Sequence, residues 1–327
     1  MNRNLSKFAF MAMGYAACAG FITTPAQAQN YPDRPVRILV AGPPGSSNDI
    51  TVRAMAQRFT QAWGQQMVLD NRPGGAGILA HEITMRANPD GYTLVFSSSS
   101  GLVLNPLLFK MPYDPFRDFA PISLGSINPQ LLFANPSVAA KSVPELIALA
   151  KAKPGTLNCA SAGNGTPNHL GCELLKSLGN INFVHVPYKG SGPGVVDVVA
   201  GQAHFMFASI PQVLPLVRSG KLRALGVGSP KRTSVAPEVA TIAETLPGFE
   251  YENWYAMLAP VGTPAPIVNK INAEMVRMID DPTFTKRLQE LGSEPRSSTP
   301  AGLTAHMRKE WERWSKVIKA AGIKVER

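Results

Sequence analysis

The chain has 327 residues, 45 % of them hydrophobic, and its 32 basic against 22 acidic side chains give a formal charge of +10. The basic excess is spread along the chain, with no basic-aromatic stripe or arginine-rich block, which argues against a nucleic-acid partner and mildly favours an anionic ligand. Three cysteines are too few to scaffold the fold, and the length suggests one large or two medium domains.

The chain opens with Arg3 and Lys7, an apolar run over 8–22, and then Ala26, Gln27 and Ala28. A basic start, a short apolar core and a small-x-small site predict a secretory signal peptide over residues 1–28, cleaved after Ala28. The apolar run is short for a membrane span. Tyr15 stands where a lipoprotein signal usually has leucine before Cys18. Loss of Arg3 and Lys7 lowers the charge from +10 to +8 and leaves an exported chain of about 300 residues, enough to bury a core without disulfides.

Apolar, β-branched runs then alternate with amphipathic segments. "VRILVAG" reads as a strand, "PPGSSND" as a loop, and about 50–63 as a helix. "QMVLD" is a second strand, followed by "NRPGGAG" and a helix with Leu79 and Ile83 on one face; "YTLVFSSSS" is a third strand. "TLNCASAGNG", "INFVHVPYKGSG", "HFMFAS" and "LRALGVGS" follow, each running into a glycine- or proline-marked turn. The tail from Pro266 is mostly helical, broken at Pro282, with Thr299 and Pro300 as N-cap and first helical residue. This alternation predicts α/β architecture with largely parallel sheets.

Several strands end in small polar residues just before a helix: Ser46, Ser47 and Asn48; Ser97, Ser98, Ser99 and Ser100; Ser161, Asn164 and Thr166; Ser191. Open α/β sheets bind ligands beyond the carboxyl ends of their strands. Helix N-termini there present unpaired N–H groups and partial positive charge, which suits a carboxylate or phosphate.

The stretch "CASAGNGTPNHLGC" concentrates the most chemistry. Cys159, His169, Cys172 and His185 lack the paired spacings of a structural zinc site. Ser161 lies in no G-x-S-x-G elbow, and Cys159 has no evident base beside it. "GNG" lacks the Walker lysine and the dinucleotide spacing. With Thr166 as N-cap and Pro167 at N1, His169 falls at N3, where the helix dipole disfavours imidazolium; a neutral histidine bonded to its own loop is expected. Two readings of the loop stay open: an anion cradle using the Ser161 and Thr166 hydroxyls, or a plain helix cap by Thr166. Cys159 and Cys172 are expected as free, buried thiols, since a bridge needs their Cα atoms within about 7 Å.

The chain resembles, from end to end, the periplasmic receptors of the tripartite tricarboxylate transporter family, the Bug receptors. "YPDRPVRILV", "PPGSSND", "NRPGGAG", "PDGYTLVFSS", "MPYDPFRDFAPI", "SAGNGTPNHL", "VPYKGSGP", "SGKLRALGVGSPKR", "TIAETLPGFE" and "GTPAPIVNKINAE" carry the resemblance in order. It implies a two-domain, type II-like Venus flytrap with the ligand cleft between mostly parallel sheets. The expected domains are 29–128 with 252–327, and 129–251. It implies that loop N–H groups, hydroxyls and waters hold the carboxylate of a small mono- or dicarboxylic acid. By motif, the first-domain contacts are Gly45, Ser46, Ser47, Ser97 and Ser98. Those of the second are Ser161, Gly163, Asn164, Gly165 and Thr166, with Lys189 and Ser209 nearby. Asp49 is expected to cap the first long helix and Arg72 to brace its turn.

The resemblance further implies delivery to a membrane permease by a monomer, with no cofactor, metal or catalysis. An exported hydrolase or isomerase acting on a carboxylate is the alternative from another class, and a sensor subunit is a third reading. The chain departs from the family pattern at Gly42, where an aromatic is usual, and at Ser46, where a glycine is usual. These changes predict a roomier, more hydroxylated wall. His204 stands where an acidic residue is common, and the cysteine pair is not a family hallmark.

Overall fold

A computed structural model describes residues 31–73 and 77–323. The expected signal peptide, residues 1–28, lies outside the described residues. Among those described, no helix is long and apolar enough to cross a membrane.

The N-terminal strands follow the apolar runs. β1 (Val36–Val40) pairs in parallel with β2 (Met67–Asn71) and β3 (Thr93–Ser98). α1 (Ser47–Trp63) begins three residues earlier than the sequence indicates, because Ser46 caps it by accepting the Asp49 N–H. In α2 (Ile78–Met85) the buried positions are Ala80, His81 and Thr84. Of the expected Leu79–Ile83 face, Ile83 packs on the core while Leu79 is exposed.

A π-helical segment (Ser100–Leu104) and α3 (Asn105–Leu108) lead to β4 (Phe119–Ala134), a strand of 16 residues. Its first part, through Pro129, pairs antiparallel with β9 (Glu252–Pro260), and β9 in turn pairs antiparallel with β3. From Gln130 onward β4 pairs antiparallel with β7 (Phe205–Ser209), and from Leu131 also with β8 (Arg223–Val227). β5 (Asn158–Ser161) lies parallel to β7 and to β6 (Val184–Pro187). The strand order is β2-β1-β3-β9-β4-β7-β5-β6, with β8 and the short β10 (Glu294–Pro295) also on β4. The parallel arrangement expected from sequence thus holds in the outer strands, while the centre is antiparallel.

Helices cover the faces: α4 (Val143–Ala152), α5 (Pro167–Gly179), α6 (Ser191–Val199) and α7 (Ile210–Arg218), then α8 (Ala265–Asp280), α9 (Pro282–Glu290) and α10 (Pro300–Ala320). The break at Pro282 is as expected, with Asp281 capping α9 through the Thr283 N–H. Thr299 caps α10 through Gly302, again as expected. Successive β4 residues alternate between two cores. Leu131 and Phe133 join Val195, Val198, Ile210 and Val213, whereas Leu132 and Ala134 face Leu170, Phe207 and Leu225. That is the period of two expected where both sheet faces are buried.

Gly228 marks how closely the backbones approach. Its N–H donates to the Gln130 carbonyl and its own carbonyl accepts from Tyr251, both at 2.8 Å. A β-carbon there would sit 2.3 Å from the Tyr251 carbonyl oxygen, so the main chain itself has to move. Gly228→Ala is expected to cost about 1–3 kcal/mol, the usual price of overpacking. Urea unfolding with an unchanged midpoint would contradict this.

Candidate functional site

The first group of loops stands at the carboxyl ends of β1 and β3. Gly45, in a left-handed turn, donates its N–H to Asp49 Oδ2 at 3.0 Å. Asp49 also receives Arg53 at 2.8 Å and the Asn71 amide at 3.0 Å. Burial works to raise the Asp49 pKa, but bonds from Gly45, Arg53 and Asn71 hold it below the usual carboxylate value. Its charge is therefore taken up inside the loop, and the expectation that Asp49 caps α1 is corrected: Ser46 is the cap, while Asp49 lies in the first turn and reaches back to Gly45. Arg72 pairs with Asp70 at 3.1 Å and its own N–H donates to the Val40 carbonyl, so it braces the turn.

Ser46 Oγ lies 3.0 Å from where a β-carbon on Gly42 would stand. Gly42 and Ser46 are thus sterically linked, since the serine side chain stands where a side chain at position 42 would begin. Ser47 lies near the Tyr255 hydroxyl. That hydroxyl receives Asn253 Nδ2 at 3.1 Å, while Asn253 Oδ1 accepts from Ser99 at 2.8 Å. This arrangement places the start of α1 beside the ends of β3 and β9. Tyr255 and Asn253 were missed by sequence reasoning, because "ENWYAML" reads only as apolar.

Ser98 is half-buried opposite Tyr255. Ser97 differs from the expectation: it is fully buried. Strand alternation turns its side chain inward, toward His81. Ser97 Oγ and His81 Nε2 lie 2.9 and 3.3 Å from where a β-carbon on Gly101 would stand, and neither has a hydrogen-bond partner among the described residues.

The second group follows β5, β6 and β7. Ser161 is fully buried, with Oγ 2.6 Å from His185 Nε2 and accepting the Gly163 N–H at 3.1 Å. Thr166 sits at the N-cap position of α5, yet its hydroxyl donates to the Gly163 carbonyl at 2.7 Å instead of capping. The Gly165 N–H donates to His169 Nδ1 at 3.0 Å, which makes His169 the neutral, loop-bonded histidine that the sequence indicated. The amides of Gly163, Gly165 and Thr166 are thus occupied within the loop, the last by the Gly163 carbonyl. Helix geometry leaves the Asn168 and His169 amides, in the first turn of α5, without intrahelical acceptors. Asn164 and Lys189 are exposed, and Ser209 is half-buried at the start of α7.

The remaining chemistry is now assignable. Cys159 and Cys172 form a disulfide with a Cα separation of 6.6 Å, so the free-thiol expectation is corrected. The first turns of α5 pack on β5 and bring the two side chains together. Both sulfurs are unavailable to a metal, and no group of three or more ligating side chains exists among the described residues. Ser161 and His185 do meet, which the sequence gave no sign of, and the hydroxyl is fully buried. His204 accepts the Asn158 N–H at 2.8 Å, a structural use.

A family model described as the tripartite tricarboxylate transporter family receptor matches residues 51–323. Protein BugT of Bordetella pertussis is 35% identical over 318 residues, which cover 95% of this chain and 96% of that protein. Among solved structures, Rpa4515 of R. palustris with adipate superimposes with a TM-score of 0.77 at 34% identity, covering 90% of this chain and 99% of the other. MatC of Rhodopseudomonas palustris with bound malate has a TM-score of 0.71 at 32% identity, with coverage of 88% and 100%.

Proposed function

We propose, from the premise that the chain belongs to the tripartite tricarboxylate transporter receptor family, that it captures a small organic carboxylate and delivers it to a membrane permease. It acts in the periplasm, as a monomer and without catalysing a reaction. The observation that carries the ligand class is the pair of helix starts, α1 and α5, each entered from the carboxyl end of a parallel strand through a hydroxyl-bearing loop. Such starts offer backbone donors and partial positive charge; at α1 the Asp49 carboxylate is already matched by Arg53. Capture of adipate and malate by the two relatives supports the same chemistry here.

The switch of β4 from β9 to β7 and β8 at Pro129 and Gln130 supports two domains, 29–128 with 252–327 and 129–251. The ligand-facing groups are then Gly45, Ser46, Ser47 and Ser98 from one and Asn164, Thr166, Lys189, Ser209 and the first α5 amides from the other. Ser97, Ser161, Gly163 and Gly165 shape these walls from behind. The buried Ser161 hydroxyl speaks against the hydrolase reading.

A carboxylate that binds only the folded protein should stabilise it by about 2.7 kcal/mol at a hundredfold excess over Kd. A thermal-shift panel of mono- and dicarboxylates, sugars and amines reads this directly. Stabilisation by sugars or amines alone would overturn the ligand class. Recovery of a chemically altered carboxylate by mass spectrometry would favour the enzyme.

A further inference from the structure

We propose that His169 and His185 are positioning residues for the α5 cradle, and that they hold it in its binding shape only while both rings are neutral. The proposal rests on the carboxylate-receptor reading above. The loop 161–166 needs outside support, because it passes through Gly163 at φ 132° and Gly165 at φ 71°, conformations that do not stabilise themselves. The two rings supply it from one stack, with centroids 3.8 Å apart and planes 13° from parallel. His185 Nε2 meets Ser161 Oγ, which in turn takes the Gly163 N–H. His169 Nδ1 takes the Gly165 N–H, so each histidine fixes one end of the turn that leads into α5.

The Gly165 bond dictates the protonation state. An N–H donor requires a bare Nδ1, so His169 carries its proton on Nε2, on the side of Glu173 at 3.7 Å. A second proton on Nδ1 would set N–H against N–H and break the tie. It would also place a cation at the positive end of α5 and beneath the other ring.

Burial lowers the His169 pKa, and the nearby Glu173 charge, which works to raise it, does not offset this. α5 contributes Glu173 and Lys176, bonded to each other at 3.1 Å. From β5 the nearest titratable candidate, Cys159, is locked in the disulfide. Leu108 and Phe109 at the end of α3 and the chain at 321–323 add no charge. Burial holds both rings below the usual imidazole value, His185 at about 4. A pocket of about 550 Å³, lined among others by Asn164, Lys176 and both histidines, gives protons access from solvent.

The test combines a ligand-free and a ligand-bound readout on the full mature chain. In the ligand-free protein, histidine ring NMR should report the Nε2–H tautomer for His169, and the Gly165 amide should be protected from exchange at pH 7.5. His169→Phe should lose that protection, while His169→Asn, whose amide oxygen still accepts, should keep it. With malate and adipate as probes in calorimetric titrations, His169→Phe and His185→Phe should each bind at least tenfold more weakly at pH 7.5. The double variant His169→Asn with His185→Gln should bind within about threefold of the parent and lose less affinity between pH 7.5 and 5. The parent's own loss over that range should exceed the variant's after correction for ligand protonation. Urea midpoints for each variant separate unfolding from a distorted cradle.

An unprotected Gly165 amide, an Nδ1–H His169, or Phe variants that bind like the parent would overturn the proposal. So would equal pH profiles for the parent and the Asn/Gln variant. If neither these nor other carboxylates bind at any pH, the receptor reading fails, while the NMR result still decides how the loop is held.

Discussion

Acidification from pH 6.5 to about 4.5 is expected to cost the protein on the order of 1 kcal/mol of stability. Burial holds His81 at about 4, against the pull of its bond to the Gly77 carbonyl. Burial also holds His306 at about 4, in spite of the Glu250 charge, and His185 has already been placed there. An unfolded chain takes up protons near 6.5 that these rings refuse. Stability carried by a depressed histidine is therefore present above 6.5 and is lost as pH falls toward 4.

Two carboxyls oppose the trend. Burial raises Glu252 to about 7 and lifts Glu310 as well, so the folded protein keeps protons that the unfolded chain releases above about 4.5. Counting His81 and His306 fully and the part-solvated His185 in part, then subtracting Glu252 and Glu310, leaves roughly half a proton. One proton is worth about 1.4 kcal/mol per pH unit. Urea unfolding at pH 7.5, 6, 5 and 4.5 checks the slope. A midpoint that holds steady or rises on acidification would mean the carboxyls dominate.

Loss of the Cys159–Cys172 bridge should be costlier still. Both residues are fully buried and 13 positions apart. Cross-linking a loop of that size restricts the unfolded chain by about 3 kcal/mol, within the 2–5 kcal/mol typical of native disulfides. Cys159→Ala with Cys172→Ala, or reduction, should lower the urea midpoint accordingly. The denatured, unreduced parent should take up no thiol label; two labelled cysteines would remove the basis for the prediction.

The outer strands and the helix caps were legible because each carries a local signal: β-branched runs for β1, β2, β3 and β5 to β8, and Ser, Thr or Asp ahead of proline for the helices. β4 was not legible. Pro121, Gly125 and Pro129 punctuate it like a loop, and Ser123, Ser126 and Asn128 look solvent-bound. They are buried because partners distant in sequence satisfy them: Ser123 donates to the Ser298 carbonyl at 3.0 Å and Asn128 to Ser293 at 3.1 Å. β9 was missed for the opposite reason, since a strand buried on both faces shows no alternation. The bridge escaped because sequence fixes where α5 starts but not how it is rotated against β5.

The loop proposed as the cradle stands out in the sequence by its glycines and its helix start. Its donors were misassigned, because His169 claims the Gly165 amide from four residues away and Ser161 turns inward to His185. The corrected picture moves the available amides into the first turn of α5.

The route of β9 also sets an order of events. β3 ends near residue 98, yet its neighbour in the sheet is paired as Val95 to Leu258, more than half the chain away. A chain emerging N-terminus first can assemble β1, β2 and β3 early, but the open edge of β3 stays unsatisfied until residue 260 has appeared. Such long-range closure is slow compared with local pairing. Meanwhile the exposed edge is a template for wrong partners. The nascent protein thus spends its most aggregation-prone interval with one sheet half-finished, and anything that occupies the β3 edge during that interval decides between the native molecule and a misassembled one.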